Sequence, residues 1–100
     1  MSEHYILDGK KPVPCDLMTW ARWLKGAERH VAKSGDPKGE KPWVSNVFLG
    51  LDHSFGYGSP MLFETMIFGG EHDQYQERCS TWEEAEIMHK KACQLIGIEL

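Results

Sequence analysis

Two spacings of apolar residues divide the chain into helices and strands. From Leu17 onward, apolar residues return every three or four positions, which is the period of one helix face. Asp16, just before them, is a residue type that caps helix N-termini, and Gly35 follows a basic last turn. This pattern predicts a helix over residues 17–33. Its apolar face consists of Leu17, Trp20, Ala21, Leu24, Ala27 and Val31.

The helical spacing returns near the end of the sequence. Ser80 and Glu83 have the sequence of a capping box, in which a hydroxyl accepts from a backbone amide and a carboxylate bonds back. Acidic residues then precede basic ones, which complements the helix dipole, and Gly97 suits the C-terminal end. We therefore expect a second helix that begins near residue 82. Its apolar side consists of Trp82, Ala85, Met88, His89, Ala92, Leu95 and Ile96.

Between these helices the sequence has the pattern of β-strands. Three strands are predicted, over residues 43–51, 61–68 and 74–79, and a flexible connection covers 34–42. A short hairpin arm turned at Asp8-Gly9 precedes the first helix. The predicted class is α+β, a two-layer sandwich in which a small antiparallel sheet of three to four strands packs against two helices. The order is (β-arm)-α-β-β-β-α, and 100 residues suit a single domain over 1–100.

The second strand of the sheet, LFETMIF, is apolar on both faces. Alternation places Glu64, Met66 and Phe68 on one face, and the residues between them are apolar as well. One face must contact the helices, and the other presents a hydrophobic patch of the kind that marks partner surfaces. Trp23 lies on the flank of the first helix with His30 two turns along, an arrangement typical of interface anchors. In the alternative interpretation, Trp23 covers the edge of the sheet.

The stretch GLDHSFGYGSP places Asp52 and His53 at a glycine-rich bend. A turn is the favoured interpretation, because the glycines allow positive φ angles and Asp52 can accept from backbone amides. A strand of about 26 Å separates His53 from His72, so we expect no shared metal site. Loop tips also carry binding residues, which leaves Phe55 and Tyr57 as contact candidates.

His89 and Cys93 stand four residues apart on the last helix. This spacing suits a pair of metal ligands or a Cys–His nucleophile, but no further ligand pair or orienting group accompanies it. A partly buried, hydrogen-bonded histidine is the preferred interpretation. No catalytic residue, metal site or cofactor is expected.

Charge and composition narrow the function classes. A net charge of −4 argues against non-specific nucleic-acid binding, which needs clustered basic residues. No apolar run approaches the length of about 20 residues that a membrane helix requires, and no secretory signal is visible at the start. Three cysteines without paired spacing fit reduced thiols in a cytoplasm. A protein-binding role is favoured by the doubly apolar second strand, the Trp23 flank and the absence of a converging catalytic set.

Several segments resemble small uncharacterised proteins of tailed bacteriophages and prophages. They are YILDG, PVPCDLMTWARW, VSNVFLGLDHSFG, LFETMIFGG and STWEEAE. No activity, ligand or site residue is established for that group, so the resemblance implies only a context. That context is the cytoplasm of an infected bacterial host, where small phage proteins often bind a host protein, including components of antiviral defence.

The leading expectation is a non-enzymatic phage accessory protein that binds a host or phage protein. One alternative is a small enzyme or metal-binding protein that uses His53 with Asp52. Another is a self-associating virion-assembly protein or homodimer. The partner-binding candidates are Trp23, His30, Phe55, Tyr57, Glu64, Met66 and Phe68.

Overall fold

The fold is α+β, as the sequence predicts. The computed structural model describes residues 3–54 and 58–98. Two helices and two antiparallel sheets follow one another in the order ββαββββα. The elements are β1 (His4–Asp8), β2 (Lys11–Cys15), α1 (Leu17–Gly26), β3 (His30–Ser34), β4 (Trp43–Phe48), β5 (Phe63–Phe68), β6 (Gln76–Cys79) and α2 (Trp82–Leu95).

The main sheet is an antiparallel meander in the order β3-β4-β5-β6, and α2 packs on one of its faces. Burial alternates strictly along the two central strands. Val44 and Phe48 of β4 are fully buried, as are Phe63 and Ile67 of β5. The residues between them, which are the odd-numbered ones of β4 and the even-numbered ones of β5, are only partly buried. The core therefore lies between α2 and a single face of the sheet.

The N-terminal hairpin forms a separate two-stranded sheet whose turn places Gly9 at φ +63°. It attaches to the segment after β4 through a backbone hydrogen bond of 2.8 Å from Tyr5 N to Gly50 O. α1 follows and contacts β1. The Asp16 carboxylate caps its N-terminus by accepting from the Thr19 amide at 2.7 Å, as expected from the sequence. Hairpin and α1 together close one end of the core.

The predicted helix over 17–33 is wrong in its second half. α1 ends at Gly26, and Ala27 is already extended, with ψ at 139°. Residues 30–34 form strand β3, in which Val31 packs against the core. Glycine is the poorest helix former after proline, and pairing with β4 fixes the following residues as a strand. Val31 matched the helical spacing by coincidence.

The second helix is confirmed, with a shift of one residue at its start. Thr81, not Ser80, is the N-cap, and Glu84 completes the capping box. Gly97 at φ +80° ends the helical turn, and Ile98 donates to Cys93 O at 2.9 Å. Ile98 packs against the core.

Candidate interaction surface

The face of the main sheet opposite α2 is covered by no helix or strand in the described residues. Cross-strand register sets its side chains in three rows. We call this surface the open face. Its rows are Trp43–Phe68, then Lys33–Ser45–Met66–Gln76, then His30–Val47–Glu64–Arg78. Glu64, Met66 and Phe68 thus lie together on one face, as strand alternation predicts.

The centre of the open face is apolar. Trp43, Val47, Met66 and Phe68, on β4 and β5, form what we call the apolar strip. None of them belongs to a core cluster. All four are partly exposed, because they shield one another but lie beneath no other element. This is an apolar surface flanked by polar edges, the composition typical of a contact site.

The Trp43 and Phe68 rings stack on each other across the β4–β5 pair. Their centroids are 4.6 Å apart and their planes differ by 21°. The Lys33 ammonium lies 5.5 Å from the Trp43 ring centroid, at cation–π distance. Among the described residues Lys33 takes part in no ion pair. An uncompensated cation therefore borders the apolar strip on its β3 side.

Glu64 is charged, yet only 14% of its side chain is exposed. The Arg78 Nε donates to it at 3.0 Å, and the Gln76 amide donates to the same oxygen. These contacts compensate the carboxylate within the sheet. At the opposite edge of this row, His30 pairs with Glu28 at 2.9 Å. In the third row the charges of Glu64 and Arg78 therefore offset each other.

Trp23 is not the exposed anchor suggested by the helical wheel. Its ring packs edge-on against Phe48, with centroids 5.7 Å apart, and it belongs to the periphery of the core. His30 lies on β3 rather than two turns farther along a helix. The early end of α1 separates these two residues. Trp23 packs on Phe48, the last residue of a central strand, rather than along an edge strand as in the alternative interpretation.

The two edge strands of the sheet are poorly suited to pairing with another chain. β3 contains a register irregularity between His30 and Ala32, and Lys33 follows it. β6 has four residues, with Glu77 and Arg78 at its centre. Bulges, short length and charges are the usual means by which proteins block edge-to-edge association. A partner that docks on the sheet is better accommodated on its face.

The Asp52–His53 bend is a turn built around one carboxylate. Asp52 Oδ1 accepts from the Ser54 amide at 2.8 Å and the Met61 amide at 3.0 Å. Burial on its own raises the pKa of Asp52, but these hydrogen bonds outweigh it and hold the pKa below its usual value. The carboxylate is therefore committed to the backbone. Phe55 and Tyr57 fall outside the described residues.

His89 lies on the side of α2 that faces the sheet and is buried, with 4% of its surface exposed. Its Nε2 lies 2.8 Å from the Ser34 Oγ, and its Nδ1 has no hydrogen-bond partner in the described structure. If Nε2 carries the proton, only an acceptor is left unpaired, whereas the other tautomer buries an unpaired N–H. Ser34 then accepts from the imidazole and is not activated by it. This geometry fits the buried, hydrogen-bonded histidine that the sequence predicts.

Cys79 and Cys93 also lack the surroundings of a nucleophile. Burial raises the pKa of Cys79 to about 11, and Cys93 is fully buried. No group of three or more His, Cys, Asp or Glu side chains converges on a metal position in residues 3–54 and 58–98. A cleft of about 440 Å³ lies between the 35–42 connection and Ile98, and neither His53 nor His89 lines it.

Comparison with known proteins gives no relative. No protein-family model, curated protein or solved structure matches the chain. Within the described residues, no helix has the length and apolar character needed to cross a membrane.

Six members of this surface are absent from the predicted partner-binding residues: Lys33, Trp43, Ser45, Val47, Gln76 and Arg78. Alternation does put Trp43 and Val47 on one face of β4, but the pattern does not say which face α2 covers. The predicted helix over residues 17–33 includes Lys33, which lies on β3. Lys33 and Arg78 can be placed on the open face only once the pairing of β3 and β6 with the central strands is known.

Proposed function

We propose that the chain is a non-enzymatic accessory protein of a tailed bacteriophage or prophage. In this proposal it acts in the cytoplasm of the infected bacterium by binding a host or phage protein in stoichiometric fashion. A component of bacterial defence is the favoured class of target. The phage context follows from the resemblance of the five sequence segments.

One observation carries the binding role, the apolar strip on the open face. A small chain gains stability by covering apolar surface, and here one sheet face is covered by α2 while the other keeps two large aromatic rings partly exposed. Both edges of that face carry polar side chains, as the rim of a protein interface does. The blunted edge strands support docking on the face rather than strand addition.

Capture from lysate tests the binding role. Wild-type protein, Phe68→Lys and Ile87→Lys would be immobilised and exposed to extracts of infected and uninfected host cells. Ile87 is the matched control, because it is 60% exposed on the outer side of α2. We expect one protein, recovered at about equimolar amount by wild type and Ile87→Lys, and lost with Phe68→Lys.

Circular dichroism of each variant would show that the fold is retained. If wild type recovers nothing from either extract, or if Phe68→Lys recovers the same protein as wild type, the proposal is wrong.

A further inference from the structure

The open face has the dimensions of a site for one helix. Together with Ser45 and Glu64, which lie between its members, the apolar strip covers the two strands β4 and β5, about 10 Å across, which matches the diameter of an α-helix. Its three rows span about 14 Å along the strands, the length of about nine helical residues. On the opposite face of the same strands, α2 already packs in this way. Both faces of the sheet therefore offer apolar side chains of β4 and β5 on which a helix can pack, and α2 occupies one of these faces.

The charges bordering the apolar strip are unequal. On the β6 side Arg78 is paired with Glu64. On the β3 side the Lys33 ammonium lies over the Trp43 ring and forms no ion pair within residues 3–54 and 58–98. A helix lying on β4 and β5 would therefore meet an uncompensated cation along one flank. Carboxylates on that flank complement it.

The aromatic pair disfavours nucleobases as the occupant. Bases bind to aromatic rings whose flat faces are open. Here one side of Trp43 faces Phe68, and the Lys33 ammonium lies over the ring. The net charge of −4 would also repel a phosphate backbone. Insertion of aliphatic side chains beside the rings fits this geometry better.

We infer that the open face binds an amphipathic α-helix of another protein, two to three turns long. The helix has an apolar stripe on β4 and β5 and carboxylates on the flank that lies over Lys33. This inference rests on the proposed function and specifies the partner for the same surface.

Two synthetic helical peptides of about 15 residues, long enough to hold helical structure, test the inference. Both carry the same leucine stripe. One has glutamate along its flanks, and the other has lysine. Titration into ¹⁵N-labelled protein, followed by NMR, reports affinity and location together.

We expect the glutamate peptide to bind wild type about threefold or more tighter than the lysine peptide, the size of one exposed ion pair. The changes in amide chemical shift should be largest around Trp43, Met66 and Phe68. Lys33→Glu should reverse the order of the two peptides, and Lys33→Gln should remove the preference for the glutamate peptide. The net charge of the chain alone favours the lysine peptide, so a preference for glutamate reports the local contact.

Three results would overturn the inference. They are tighter binding of the lysine peptide to wild type, shifts located away from the open face, and no binding of either peptide at millimolar concentration. Sedimentation of the protein alone is a further check, because a dimer lost in Phe68→Lys would make a second copy the occupant. If lysate capture depends on Phe68 while neither peptide binds, the proposed function stands and the helical partner is wrong.

Discussion

Phe68 stacks on Trp43 across two central strands of the sheet, on the side that α2 does not cover. One residue away on the same strand, Ile67 points to the other side and is fully buried in the core. Two large apolar residues in sequence thus have different environments. If the first belongs to a contact surface and the second to the core, substitutions at the two faces should differ in their effect on stability.

The first prediction compares the two faces by truncation. Phe68→Ala should lower the free energy of unfolding by about 1–2 kcal/mol, since it removes one stacking contact and a partly exposed ring. Phe63→Ala should cost about 3–5 kcal/mol, because Phe63 is fully buried and a cavity results. Urea denaturation of both variants measures the difference. Equal losses would mean that the open face is part of the core.

The second prediction concerns pH. Burial lowers the pKa of His89 below the 6.5 of an exposed histidine, and no charged group contributes to the shift. The unfolded chain then binds a proton more readily than the folded one. The His89 contribution to stability is fully present above about pH 6.5 and is lost as the pH falls through that value toward the lower pKa of the folded state.

Denaturation of wild type and His89→Gln across this pH range checks the effect. The other histidines are common to both proteins, so the difference between the two curves isolates His89. That difference should change with pH below about 6.5. Parallel curves would show that His89 titrates normally and is not buried as described.

The third prediction concerns the polar contact that positions α2 on the sheet. Asn46 is fully buried, and its Nδ2 donates to Thr65 Oγ1 and to Ala85 O, each at 2.7 Å. Asn46→Asp keeps the shape but replaces the donor with an acceptor that faces the Ala85 carbonyl. We expect a loss of more than about 2 kcal/mol, and a larger loss than for Asn46→Leu.

Thermal unfolding of the Asn46 variants provides the comparison. A stable Asn46→Asp protein with an unchanged midpoint would contradict the hydrogen bond from Asn46 to the helix.

The fourth prediction concerns Gly50, where α1 and the hairpin meet the sheet. Its φ is +78°, and a Cβ there would lie 2.8 Å from Trp20 Nε1. Gly50→Ala should therefore combine backbone strain with a steric clash. Gly9→Ala is the matched control, because Gly9 also has a positive φ, at +63°, but open space around it. We expect Gly50→Ala to be the more destabilising by at least about 1 kcal/mol in chemical denaturation. Equal losses of stability in the two variants would show that Trp20 does not crowd a side chain at position 50.

The sequence predicted the α+β class, the terminal helix and the alternation of the second strand, because each depends on local spacing. It did not predict the end of α1, since Ala27 and Val31 continue the helical period past Gly26 and only pairing with β4 shows that β3 is a strand. Local sequence patterns also do not show which side of the sheet is uncovered. Which face of β4 is buried depends on where α2 docks, a contact between residues about forty positions apart.

The central claim is that a partner covers the open face, and hydroxyl-radical footprinting of Met66 tests it most directly. The protein would be oxidised both alone and as recovered with its partner from infected cells, with Met18, 62% exposed on α1, as the internal reference. The account predicts that oxidation of Met66 falls several-fold in the recovered complex while that of Met18 is unchanged. Equal oxidation of Met66 in both samples would contradict it.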